Sequence, residues 1–313
     1  MEAFLEPIAF NFFNIPVIFY GFFNPTIVEI NNFPIKYYSL MYIIGTLVGI
    51  RICKYHAREL KIPEKKIESY ANWIVFPGIL GARIYCVLTQ WDHYKDNIGD
   101  IFAFWKGIQG LAIHGGIIGG AIGVLILSYK EKVSFWTLGD LAAAPVLVGQ
   151  SIGRIGNLIN GEAHGVPTFT PLNVIFTNGF DEWWETRQFM LNDDLKALVP
   201  WGIVFPPGTI AGEQFPNIPI HPTMIYESLL NLMGAALIFF YFRRKKFKAG
   251  TLGLIYILTY SVVRSFVTMF KADDAYILGI RGPLLTNALF IVMALTAMYI
   301  RGIYQKEERV IEE

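Results

Sequence analysis

Apolar residues in this chain gather into seven runs, each near the length of about 20 residues that a helix needs to cross the hydrocarbon of a bilayer. They lie at 38–53, 70–91, 111–129, 135–152, 223–242, 251–270 and 283–300. Several are short or interrupted by glycine, so the same pattern also accommodates six or eight. The predicted fold is an all-α membrane protein, a bundle of about seven transmembrane helices.

The polar stretches between the runs alternate in charge. Lys54, Arg58, Lys61, Lys65 and Lys66 follow the first run, Lys130 and Lys132 the third, and Arg243, Arg244, Lys245, Lys246 and Lys248 the fifth. Arg301, Lys306 and Arg309 follow the seventh. The other connections are acidic or mixed, as with Asp92, Asp96 and Asp100 against Lys95 and Lys106. Basic loops stay in the cytoplasm, so the N-terminus is expected outside and the C-terminus inside.

This topology divides the chain into an extracytoplasmic arm (1–36), spans one to four (37–162), an extracytoplasmic head (163–220), spans five to seven (221–300) and a cytoplasmic tail (301–313). Pro16, Pro25 and Pro34 argue against one long helix in the arm, and short interfacial helices are expected there. The head carries Trp183, Trp184 and Trp201, which suit the headgroup level of a bilayer.

Composition agrees with the pattern. Of 313 residues, 54% are hydrophobic and only 16% charged, against about 25% charged in a soluble domain. A net charge of +1 gives no ground for nucleic-acid binding. Cys53 and Cys86 fall inside predicted spans without a CxxC or metal-ligand spacing, and read as buried apolar thiols. No metal site is implied, and no Walker motif or dinucleotide fingerprint is present.

Candidate chemistry sits near the outer membrane face. The run GRIGNLINGE at 153–162 places Arg154, Asn157, Asn160 and Glu162 beside the fourth span, with glycines keeping the backbone bare. A charge near hydrocarbon costs several kcal/mol and usually has a partner, a wet cavity or a function. Arginine with amides and bare backbone suits a phosphate headgroup; a snorkelling Arg154 is the structural alternative. His114 opens the run HGGIIGGAIG at 114–123. Its glycines, four apart, permit close helix packing, and its imidazole can take a proton near neutral pH. In HPTMIYE at 221–227, Glu227 lies one turn inside the membrane end and needs an arginine or a proton. Arg264 or Arg154 would serve as its ion-pair partner. Arg264 and Lys271, seven apart, are expected on one basic face. Tyr37, Tyr38 and Tyr42 form an aromatic belt or contribute to the site.

Together these runs resemble the prolipoprotein diacylglyceryl transferase family over roughly residues 36–300. The closest likeness is at 153–162, joined by the His114–Gly116 run, the HPT…YE run at 221–227, Gly81-Ala-Arg83 and Arg264. The resemblance implies a bacterial inner-membrane enzyme with its active site facing the extracytoplasmic side. It implies transfer of the diacylglyceryl group of phosphatidylglycerol to the cysteine thiol of a prolipoprotein lipobox, releasing glycerol-1-phosphate, with no cofactor. Arg154, Arg264, His114 and Glu162 are the expected catalytic residues. Arg154, Asn157, Asn160, Tyr38, Tyr226 and Lys271 are expected to bind phosphatidylglycerol. His114, Glu162 and the leaving phosphate itself remain alternatives as proton acceptor.

The chain departs from the family pattern at Thr268, where the family has a glutamate one turn after the arginine of span six. Lys271 stands for an arginine, Ser39 for a glycine, Met224 for a glutamine, and Thr286-Asn287 for a Gly-Gln pair. Loss of the carboxylate at 268 removes a partner for Arg264 unless Glu227 or Asp273 replaces it. A catalytically altered, lipid-binding paralogue is therefore the alternative. A transporter is disfavoured because the polar residues crowd one membrane face.

Overall fold

The computed structural model describes residues 7–12, 15–20, 26–30, 33–89, 91–95, 99, 101, 113–177, 179–187, 199, 201–245, 247–274, 276–277 and 279–303. Among these, seven helices run 19 to 26 residues. They are α1 (Tyr37–Glu59), α2 (Glu64–Thr89), α4 (Ile113–Glu131), α5 (Phe135–Asn160), α9 (Thr223–Ala236, continued by a π turn and a 3-10 turn to Arg244), α10 (Thr251–Met269) and α11 (Gly282–Ile300). The α2, α9, α10 and α11 helices are long and apolar enough to cross a membrane by length and composition alone. Leu47, Phe76, Leu88, Leu125, Phe240 and Val292 are exposed on the bundle surface, as lipid-facing positions require.

Helix α5 is the central element, packing against α1, α9 and α10. Small residues permit this. Gly45 of α1 lies over Gly149 of α5, where an added β-carbon would come within 3.3 Å of the Gly149 Cα. The same device operates between α2 and α4, where side chains at Gly119 and Gly123 would collide with the carbonyls of Pro77 and Trp73. Asp140 of α5 is buried and caps the start of α10 in trans. Its Oδ2 accepts from the Gly250 N–H at 2.8 Å and its Oδ1 from the Gly253 N–H at 3.0 Å.

Two sequence expectations need correction. The arm forms antiparallel hairpins instead of short helices: β1 (Pro7–Phe12) pairs with β2 (Ile15–Tyr20), and β3 (Thr26–Ile30) with β4 (Phe33–Lys36). Its strands are rich in Ile, Val and Phe, and prolines at 16 and 34 withhold the N–H a helix needs. Helix α5 also runs eight residues past the predicted end of its span. No proline interrupts 153–160, so the helix continues until Gly161, which takes a left-handed φ of 64° and donates to the carbonyls of Asn157 and Leu158.

Between α5 and α9, short helices α6 (Leu172–Phe176), α7 (Phe180–Arg187) and α8 (Ile210–Gln214) surround an apolar cluster. Val166, Ile175, Phe180, Ile203, Phe215 and Met224 are its buried centre, with Trp183 and Trp184 packed against it. Near the end of this segment, Ile220 bridges both Pro167 and Ile203. The short helix α3 (Trp91–Tyr94) follows α2. Most of the connection from there to α4, residues 188–198 and the tail from 304 lie outside the described residues. Lys106, Lys306 and Arg309 are among them.

Candidate active site

The continuation of α5 decides the site. Arg154, Asn157 and Asn160 are three apart, so on a helix they line neighbouring positions of its last two turns. Arg154 Nη1 donates to Asn157 Oδ1 at 3.0 Å. Asn157 and Asn160 in turn donate their amides to the two oxygens of Glu162, at 3.5 and 3.4 Å. Tyr38 at the start of α1 lies over Gly156, where a β-carbon would come within 2.6 Å of its ring. Its hydroxyl bonds that of Tyr42 at 2.8 Å, and it lies within electrostatic reach of Arg154 and Glu162.

Glu227 joins this face to α10. Its side chain is 1% exposed and accepts from Arg154 Nη2 at 2.6 Å and from Arg264 Nη1 at 3.2 Å. It therefore pairs with both arginines that the sequence offered as alternatives. Tyr260, one turn before Arg264, interacts with the same three side chains. Arg264 Nη2 donates to Asp274 Oδ1 at 3.0 Å. Lys271 meets Asp274 at 3.4 Å and Asp273 at 3.1 Å.

The expected basic face takes a different form. Helix α10 ends at Met269, so Lys271 lies in the following turn and not two helical turns along the same face. The three cations Arg154, Arg264 and Lys271 are answered by Glu227, Asp273 and Asp274, with Glu162 joined through the asparagines. Charges buried this far from water persist only when paired in this way.

The arginines keep capacity for a ligand. A guanidinium has five N–H donors; Asn157 and Glu227 engage two on Arg154, which also meets Tyr260, and Glu227 and Asp274 engage two on Arg264. Arg154 remains 20% exposed and Arg264 14%. The remaining donors suit a tetrahedral oxyanion, which accepts charge-assisted bonds from guanidinium groups.

The other predicted residues make separate contacts. Tyr226 is held by Trp201, whose indole N–H donates to its hydroxyl at 2.6 Å, and by His221 Nδ1 at 3.1 Å. His114 is the second residue of α4, and its side chain lies outside the described residues. Thr268 is fully buried, and its hydroxyl has no partner among the described residues. Sequence reasoning missed Arg281, which is 1% exposed. Its guanidinium caps α10 by donating to the carbonyls of Thr268, Met269 and Lys271. The signal was a charge directly ahead of the Gly-Pro that opens the last span.

Two further histidines are buried outside the spans. His164 bonds Gln214 at 2.7 Å, and His221 precedes α9. Burial lowers the pKa of His164 and pushes that of His221 down to about 4. Unfolded, a histidine titrates near 6.5, so acid favours the unfolded chain through that range. Stability is expected to hold above about pH 6.5 and to fall as pH drops from there toward about 4. Thermal unfolding in detergent across this range checks it, and His221→Gln should flatten the slope.

A family model described as prolipoprotein diacylglyceryl transferase matches residues 25–300. Among curated relatives, a phosphatidylglycerol–prolipoprotein diacylglyceryl transferase of Fusobacterium nucleatum is 42% identical over 279 residues, covering 87% of this chain and 96% of its own. Relatives of the same name from Acaryochloris marina and Listeria welshimeri are 33% and 30% identical. These cover 83% and 87% of this chain, and 82% and 87% of their own.

Proposed function

The chain belongs to the prolipoprotein diacylglyceryl transferase family, and we propose that Arg154 and Arg264 hold the phosphate of phosphatidylglycerol while its diacylglyceryl group moves to a prolipoprotein thiol. The protein is a multi-pass membrane transferase. One observation carries the assignment of the site: the arginines of α5 and α10 converge on a single buried carboxylate, Glu227, with donors to spare.

The chemistry follows from that pair. A lipobox cysteine must act as thiolate, and an ordinary thiol has a pKa of about 8.5. Its sulfur forms a bond to the glyceryl carbon as the bond from that carbon to the phosphate oxygen breaks. The electron pair leaves with glycerol-1-phosphate, whose growing charge Arg154 and Arg264 stabilise. Asn157, Asn160 and Tyr38 orient the headgroup so that carbon and sulfur stand in line. His114 is assigned as the proton acceptor, with Glu162 and the departing phosphate as the other groups able to take the proton. Tyr226 and Lys271 complete the headgroup site.

Topology supports an extracytoplasmic site. The pairs Lys54–Glu68, Lys66–Glu131 and Arg243–Glu59 join the basic ends of α1, α2, α4 and α9. Arg154 and Tyr38 lie at the other ends of α5 and α1. With basic loops in the cytoplasm, the N-terminus is outside and the arginine cluster faces the bacterial periplasmic side of the inner membrane.

The test is transfer by the purified protein in detergent, using labelled phosphatidylglycerol and a synthetic lipobox peptide. A thioether-linked diacylglyceryl peptide and free glycerol-1-phosphate are expected. Binding of the lipid without product would sink the assignment.

A further inference from the structure

We infer that Asp274 is a positioning residue for Arg264, supplying from beyond the helix end the second carboxylate that α10 itself lacks. This rests on the reading of Arg264 as a phosphate-holding group. Glu227 contacts Arg264 through Nη1 alone and is shared with Arg154. A single contact leaves the planar fork free to pivot. Asp274 Oδ1 takes the other terminal nitrogen, Nη2, at 3.0 Å, and two anchored nitrogens fix the plane.

No residue of α10 can do this. The helix contains no aspartate or glutamate. One turn beyond Arg264, where an i, i+4 partner would sit, is Thr268, buried with its hydroxyl unpartnered among the described residues.

The turn that carries Asp274 is fastened from three directions. The Val166 N–H donates to the Phe270 carbonyl at 2.9 Å, and the Ala272 N–H to the His164 carbonyl at 3.2 Å. Arg281 ties the carbonyls of Thr268, Met269 and Lys271 to the start of α11. Lys271 adds a second cation on Asp274 Oδ1 at 3.4 Å. The side chain of Asp274 is only 7% exposed, whereas that of Asp273 is 28% exposed. Oδ2 of Asp274 is buried without a partner among the described residues. Buried ion pairs add little net stability, and an unpaired buried oxygen subtracts from it. An arrangement costly for folding but exact in its hold on Arg264 is explained by what it does for that arginine.

The experiment measures transfer from phosphatidylglycerol to a lipobox peptide by the full chain in detergent, with Asp274→Asn, Asp274→Glu and the double variant Thr268→Glu/Asp274→Asn. A misplacement of about 1 Å in a positioning contact costs on the order of 10²-fold. Asp274→Asn should therefore lose roughly that factor in kcat, with a smaller change in KM for the lipid. Returning a carboxylate at position 268 should recover about tenfold or more of it, since i, i+4 places that group beside Arg264. Should Asp274→Asn fail to fold, Asp274→Glu decides, because its displaced carboxylate should lower kcat in a folded protein. Wild-type kcat in Asp274→Asn, with Arg154→Ala inactive, overturns the inference and leaves the headgroup site standing. A loss that tracks a lower melting temperature and is not recovered by the double variant also overturns it, since Asp274 would then serve the turn alone. No transfer by the unsubstituted protein overturns both readings.

Discussion

Replacing Arg154 with alanine should lower kcat/KM for diacylglyceryl transfer on the order of 10³-fold, the upper end of what one donor to a developing oxyanion contributes. Arg154 is the more exposed of the two arginines on Glu227, so its free donors are the more accessible to a headgroup. The fold should survive, because Glu227 keeps Arg264 as partner and Asn157 remains bonded to Glu162. Arg154→Lys retains the charge but cannot span Asn157, Glu227 and a phosphate from one planar fork, so most of the loss should persist. Steady-state transfer with labelled phosphatidylglycerol measures both variants. Activity of the alanine variant within a few-fold of wild type would remove Arg154 from the reaction.

The largest effect on stability belongs to Glu227→Ala. It leaves two guanidinium groups in a nearly buried site without their shared carboxylate, and breaking a buried pair by deleting one partner costs about 3–5 kcal/mol. Asp274 still compensates Arg264, so the uncompensated charge is chiefly that of Arg154. The double variant Arg154→Ala/Glu227→Ala should accordingly unfold at a higher temperature than Glu227→Ala alone, a coupling that additive effects would not produce. Glu227→Gln keeps the shape and one acceptor and should fall between. Thermal unfolding in detergent reads all three. An unchanged transition in Glu227→Ala would mean that the arginines find other partners.

The departure at Thr268 takes on a different meaning in three dimensions. As sequence it reads as a carboxylate lost from Arg264, with Glu227 or Asp273 as replacement. In the structure Glu227 and Asp274 hold Arg264, while the more exposed Asp273 pairs with Lys271. Adjacent residues in a turn point in different directions, and only the backbone path after Met269 decides which of the two faces the arginine.

The hydrophobic pattern alone pointed to the membrane class and to the approximate positions of the long helices among the described residues, while leaving their number open between six and eight. That Arg154, Asn157, Asn160 and Glu162 lie close together was legible because they fall within nine residues beside a span; that the first three line the last turns of α5 was not, since the apolar run that predicts the helix ends before them. What lies far apart in the chain was decided by tertiary structure. Glu227 stands 73 residues from Arg154 and 37 from Arg264, and both pairings depend on how α5, α9 and α10 pack. That packing rests on small residues such as Gly234, which no local periodicity reveals. The extension of α5 through Asn160, the hairpins of the arm and the buried hold of Arg281 on the end of α10 were likewise settled by where backbone groups found partners. A polar residue in an apolar chain announces that it needs a partner, but not which one, because Coulombic and hydrogen-bond partners are chosen by distance in space.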